Sequence, residues 1–134
     1  MIALDTSVVV ATFAPWHEHH ARARRVLAAA PRLVAHTALE AYSVLTRLPE
    51  PFRVDPAIAV EFLERTFRSE RLALDPDAHA CAPRTLSEAG VGGGATYDGV
   101  IALAAREAGA QVVTLDRRAL DTYARCGADA RLLV

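Results

Sequence analysis

Short apolar runs alternate with longer stretches of helical period along the chain. Five runs read as strands: residues 2–4, 33–35, 72–74, 112–115 and 131–134. The first four are brief, apolar and rich in Leu or β-branched residues, the pattern of strands buried on both faces of a parallel sheet. Between them the period lengthens. Residues 18–30 place Ala23, Val26, Leu27 and Ala30 on one stripe. Residues 38–48 follow Thr37, a good N-cap, and residues 56–70 start from Asp55 with Pro56 at the first helical position. Residues 77–89 are helical in pattern but contain Pro83, which predicts a kink or a late start. Residues 97–108 follow Thr96 and stop at Gly109; residues 117–125 follow Asp116 and stop near Gly127. This alternation predicts a single domain over residues 1–134, an α/β fold of three α/β/α layers with right-handed crossovers and a mainly parallel sheet of about five strands.

Composition narrows the classes. Hydrophobic residues make up 52% of the 134, too many for a disordered tail. The longest apolar run, residues 100–105, falls far short of the roughly 20 residues of a membrane span. The start, MIALDTSVVV, has no basic segment and carries Asp5 inside its apolar stretch, so a secretory signal is not expected and the cytoplasm is. Cys81 and Cys126 form neither a disulfide framework nor a CxxC pair. A net charge of −1 excludes a generally basic nucleic-acid binder. All 15 basic residues are Arg, so any phosphate contact uses a planar guanidinium and any amine chemistry is excluded.

Candidate chemistry lies in four acids placed where acids are costly. Asp5 ends the first strand in IALDTSVVV, and Asp116 ends the fourth in VVTLDRRAL. Asp98 opens a helix whose next residues are core-like, and Glu40 opens another. Each has a structural role open to it. Asp5 and Asp116 can cap helices, Asp98 can complement a helix dipole, and Glu40 completes a capping box with Thr37. As a set they are harder to explain away, because ligands of such folds bind beyond the carboxyl ends of the strands. Four converging carboxylates need protons or a cation, and an all-oxygen set selects Mg²⁺ or Mn²⁺, chemistry suited to phosphodiester hydrolysis.

The segments LDTSVVV, HTALEAYSVLTRLP, TYDGVIALAARE and VVTLDRRA resemble those of PIN-domain ribonucleases, and more narrowly the VapC toxins of bacterial type II toxin–antitoxin modules. The resemblance covers essentially the whole chain. It implies that Asp5, Glu40, Asp98 and Asp116 are the catalytic and metal-binding quartet, with Mg²⁺ or Mn²⁺ as cofactor. Thr6, Ser7 and Thr114 would orient ligands or a water. It also implies an RNA substrate, a VapB-type antitoxin as partner and a homodimer. Arg117 and Arg118, directly after Asp116, are the candidate RNA contacts. A catalytically idle RNA- or protein-binding module of the same fold and a DNA-directed metal nuclease are the alternatives. A haloacid-dehalogenase phosphatase would need an Asp where Ser7 stands, and a receiver domain needs a Lys.

Five further features are read as structural or as contact surface. The His17, His19 and His20 cluster reads as a solvated helix start, His36 as structural, and Gly90 to Gly94 as a flexible connector. Arg22, Arg24 and Arg25 read as a solvated face. In the helix over residues 56–70, Val60, Leu63 and Phe67 form one stripe and Ile58 and Phe62 a second, more apolar surface than docking on one sheet requires.

Overall fold

The computed structural model describes residues 1–134. In chain order the elements are β1 (Ile2–Leu4), α1 (Thr6–Phe13), α2 (His20–Val26), β2 (Arg32–Leu33), α3 (Ala35–Thr46), α4 (Pro56–Thr66), α5 (Pro76–Glu88), α6 (Thr96–Glu107), β3 (Gln111–Thr114), α7 (Ala119–Arg125) and β4 (Ala130–Leu132). All strand pairings are parallel, in the order β2-β1-β3-β4. Leu4 pairs with Leu33 on one side and Val113 on the other. The chain therefore steps from β1 to one neighbour and later returns to the opposite side, which opens a switch point between the carboxyl ends of β1 and β3.

Strand pleating sends alternate residues to opposite faces, and two cores follow from it. Ala3 and Val112 pack with Ile101, Leu86 and Tyr123 beneath α5, α6 and α7. Leu4 and Val113 pack with Val8, Val9, Leu33 and Leu63 beneath α1 to α4. These are the expected three layers. The sheet has four strands where about five were expected. Residues 72–74 contribute only one bridge, between Val34 and Leu72. The final strand runs Ala130–Leu132, slightly before the expected residues 131–134.

The bridge also explains why α3 begins earlier than its sequence signal. The Ala35 N–H donates to the Leu72 carbonyl at 2.7 Å, so the strand edge satisfies a donor at the helix start. Val34 is the extended cap residue and makes no side-chain cap bond. Thr37 lies inside the helix, buried, with its hydroxyl unpartnered. The capping box with Glu40 is thus absent, and Glu40 sits in the second turn. The helix expected over residues 18–30 runs only over His20–Val26, with a 3₁₀ turn at Leu27–Ala29 after it. Pro83 lies within α5, which nonetheless starts at Pro76, capped by the Asp75 carboxylate on the Ala78 N–H at 2.8 Å. Asp55 and Pro56 start α4 as expected, but the helix ends at Thr66. Its two stripes regroup: Ala59, Leu63 and Phe67 are buried, Phe62 is partly so, and Val60 joins Ile58 on the exposed side. Gly90 to Gly94 form a connector, with a 3₁₀ turn at Gly93–Ala95 leading into α6.

No helix is long and apolar enough to cross a membrane. Leu4 is fully buried at the centre of the sheet, so Leu4→Ala should cost about 2–5 kcal/mol. Asp55→Ala removes only a cap, from Ala57 N–H to Asp55 at 2.9 Å, and should cost about 1 kcal/mol. Urea unfolding of both variants checks the contrast.

Candidate active site

The switch point between β1 and β3 is occupied by a buried acid. Asp5 follows β1, is only 4% exposed, and serves as N-cap of α1. One carboxylate oxygen accepts from the Val8 N–H at 3.3 Å and from the Ser7 hydroxyl. The other accepts from the Tyr123 hydroxyl at 2.9 Å. Tyr123 is fully buried and comes from α7. Burial pushes the Asp5 carboxyl above its usual range; the hydrogen bonds from Ser7, Thr114, Tyr123 and Val8 pull the other way. Burial and the nearby charge of Asp5 raise the Tyr123 hydroxyl far above its ordinary value, so it stays a donor.

Ser7 ties the two strand ends together. Its oxygen accepts from the Leu115 N–H at 2.9 Å while its hydroxyl donates to Asp5. Thr114, fully buried at the end of β3, accepts from the Asp116 N–H at 2.9 Å and lies 3.5 Å from the Ser7 oxygen. Asp116 is half-exposed and accepts from the Arg118 N–H at 2.9 Å, a turn-capping role. The Arg118 guanidinium approaches the same carboxylate to 3.5 Å and is otherwise solvent-exposed; Arg117 is exposed beside it.

The other two acids come from helices on opposite faces of the sheet. Asp98 lies in the first turn of α6, where the dipole favours an anion. Its carboxyl is nevertheless raised to about 6, by burial first and then by the charges of Asp5, Glu40 and Asp116. Asp98 is thus within electrostatic reach of the other three acids. Glu40 is raised too, by burial first; His36 and Arg47 oppose the rise and Asp5 adds to it. His36 Nε2 stands 3.2 Å from Glu40 Oε1 without hydrogen-bond alignment, leaving both atoms buried and unpartnered. The Thr6 hydroxyl is likewise buried without a partner.

This chemistry fits a hard divalent cation: oxygen donors, mutual repulsion, and a buried carboxylate oxygen with no donor of its own. No three acidic, His or Cys side chains are gathered tightly enough to ligate one ion together as they stand. The structure brings every expected acid to the same end of the sheet. It also places there two residues that the sequence did not single out, Tyr123 and Tyr97, and moves His36 from the background to the side of Glu40. Tyr97 stacks on His36, and nothing in the local sequence separates Tyr123 from an ordinary core aromatic. The His17, His19 and His20 group stays apart, with His17 accepting from the His19 N–H at 3.0 Å.

The sequence model of the PIN domain family matches residues 2–125. The protein named Ribonuclease VapC40 of Mycobacterium tuberculosis is 46% identical over 133 residues, covering 99% of either chain. Ribonuclease VapC27 of the same organism is 39% identical over 131 residues, 94% of this chain and 92% of that one. Among solved structures, a chain of the FitAB complex bound to an IR36 DNA fragment superposes with a TM-score of 0.71 at 22% identity, covering 98% of this chain and 94% of that one. PAE2754 from Pyrobaculum aerophilum gives a TM-score of 0.61 at 26% identity, covering 96% and 89%.

Two predictions follow from this geometry. Tyr123→Phe leaves an oxygen of a buried carboxylate without its donor and should cost about 1–3 kcal/mol by chemical denaturation. Asp98 carries a folded-state pKa near 6 against 3.8 ordinarily, so between those values the folded chain holds a proton that the unfolded chain has lost. The stability it contributes is complete below about pH 4 and falls as pH rises through 6. Melting of Asp98→Asn beside the parent, without divalent ions, should therefore show the variant gaining on the parent between pH 4 and 7. A constant difference across that range would contradict the raised carboxyl.

Proposed function

The chain belongs to the PIN-domain family, and from that premise we propose that it is a metal-dependent endoribonuclease, the toxin of a VapBC-type toxin–antitoxin pair. The observation that carries the reading is the placement of Asp5, Glu40, Asp98 and Asp116 at one switch point, where each of the other three raises the Asp98 carboxyl. Near-full-length identity to two proteins named as VapC ribonucleases supports RNA as the substrate.

In this reading Asp5, Glu40, Asp98 and Asp116 hold Mg²⁺ or Mn²⁺. When bound, the ion supplies charge neutralisation at the phosphate and lowers the pKa of a water. The rest is done by the chain. Tyr123 and Ser7 fix the direction of the Asp5 carboxylate. Thr114 and the Leu115 N–H lock Ser7 and Asp116 to the end of β3. Glu40 Oε1, unpartnered, is available to orient a ligand or accept a proton from an attacking water. Thr6, with its free hydroxyl, lies at the start of α1 for the same purpose. Arg117 and Arg118 stand exposed after Asp116, where an RNA phosphate backbone can meet them.

An acidic site open to RNA in the cytoplasm calls for control. A VapB-type antitoxin carrying an Arg or Lys among apolar residues would satisfy the carboxylates and cover the exposed apolar side chains of α4, Ile58 and Val60. A homodimer of the toxin is part of the same proposal.

The deciding assay is cleavage of RNA and of single-stranded DNA of the same sequence, with Mg²⁺, with Mn²⁺ and with chelator. Expected is RNA cleavage only with metal, reduced about a hundredfold or more in Asp5→Asn, Asp98→Asn and Glu40→Gln. Equal cutting of DNA would make it a general metal nuclease, and no cutting under any condition would leave a binding module. Mn²⁺ should also raise the melting temperature, by mass action, in the parent and not in Asp98→Asn.

A further inference from the structure

Beside the acids stands an aromatic pair that the proposed chemistry does not use. His36, in the first turn of α3, and Tyr97, in the first turn of α6, stack with centroids 5.3 Å apart and planes within 5°. The pair joins the two helices that bring Glu40 and Asp98, and Tyr97 directly precedes Asp98. His36 covers part of the tyrosine, yet Tyr97 remains 54% exposed. A cleft of about 320 Å³ lies against the stack, lined by His36, Glu40, Ser43, Val44, Arg47 and Tyr97. That volume is at the lower end of small-ligand pockets, about 300–1,000 Å³. Arg47 is exposed and its guanidinium takes part in no ion pair.

A flat aromatic face and a guanidinium outside any ion pair meet two requirements of one nucleotide: a stacking surface for the base and a cation for the phosphate. Four of the six residues that line the cleft, His36, Glu40, Ser43 and Arg47, carry polar or charged groups beside the ring. Resting on the ribonuclease reading above, we propose that Tyr97, backed by His36, is a stacking platform for a base of single-stranded RNA next to the scissile phosphate, with Arg47 on an adjoining phosphate. The platform would fix where along the strand the acids act, because a base parked on Tyr97 sets which phosphodiester reaches Asp98 and Glu40.

The test measures binding, by fluorescence anisotropy with Mn²⁺, of short single-stranded oligoribonucleotides that the parent protein cuts. Asp116→Asn serves as the uncut background. Added to it, Tyr97→Ala should weaken binding roughly tenfold, and Tyr97→Phe, which keeps the ring, should stay within about twofold. Arg47→Ala should weaken binding and flatten its dependence on salt by about one charge. Oligonucleotides made abasic at successive positions around the cut should include one for which Tyr97→Ala no longer differs from the background protein. Unchanged affinity in Tyr97→Ala, with the parent still cutting RNA, overturns the platform and leaves the ribonuclease reading intact. Unchanged RNA affinity with weakened antitoxin binding assigns the stack to a protein contact and also overturns it. A parent protein that cuts no RNA removes the ribonuclease reading, and the platform falls with it.

Discussion

The buried carboxylate of Asp5 is the constraint around which the carboxyl end of the sheet is arranged. A charge this deeply buried costs several kcal/mol unless it is compensated. The compensation comes from three donors on two elements: the Val8 N–H and the Ser7 hydroxyl in the first turn of α1, the latter bridging to β3, and the Tyr123 hydroxyl from α7. The Ser7 and Val8 bonds are local, whereas the Tyr123 bond closes a distance in sequence that the sheet order makes short in space. Residues 5 and 123 meet because β1 and β3 are neighbours and α7 directly follows β3. The same bonds that make the acid tolerable also fix its direction, so stabilising the fold and preorganising the site are one event.

The parallel sheet supplies the second half of the arrangement. With the order β2-β1-β3-β4, the carboxyl ends of β1 and β3 lie side by side and both carry an acid. Helices α3 and α6 then deliver Glu40 and Asp98 from opposite faces. Asp98 is the clearest record of the result. A first-turn position favours an ionised acid, yet burial and three neighbouring carboxylates override the dipole and raise it to about 6. Burial first and repulsion second outweigh a favourable local position, and a positive charge placed among these acids would relieve the repulsion.

Much of this was legible along the chain, for identifiable reasons. The strands at residues 2–4 and 112–115 showed because both of their faces are buried, and the acids after them showed because an Asp closing an apolar run is expensive. The starts of α4 at Asp55 and Pro56 and the stops at Gly109 and Gly127 were visible because capping is local; Gly109 and Gly127 take positive φ, 68° and 75°. What failed was non-local. Residues 72–74 look like a strand, but only Leu72 finds a partner. Thr37 looks like a cap, but the helix start is set by the Leu72 carbonyl, 37 residues from Ala35 in sequence. Helix α1 shows in the sequence only as a short helix that Asp5 can cap, because TSVVVATF carries β-branched residues that favour a strand; its formation depends on that cap and on burial of Val8 and Val9. Val60 shares a stripe with Leu63 and Phe67 yet is exposed, because helical spacing defines neighbours on a helix but does not say which arc meets the sheet.

Tyr123 illustrates the remaining gap. A tyrosine in a short amphipathic helix reads as core, and by burial it is core. Its hydroxyl acquires a function only because a carboxylate 118 residues away lies 2.9 Å from it. Once that pairing exists, the chemistry around it is constrained. The phenol cannot share the charge by ionising, since burial and the surrounding acids hold it protonated. One oxygen of Asp5 is therefore committed to Tyr123 and the other to Ser7 and Val8 through hydrogen bonds that a cation can outbid only on their open side. Asp5 thus acts as a fixed anchor, while Glu40 and Asp98, less buried and less tied, are the acids whose positions can answer to an arriving charge. In the proposed function, an ion with RNA or a basic side chain from a protein partner would meet the same demand by the same electrostatics. Activation and inhibition would then be competing ways of neutralising one set of carboxylates.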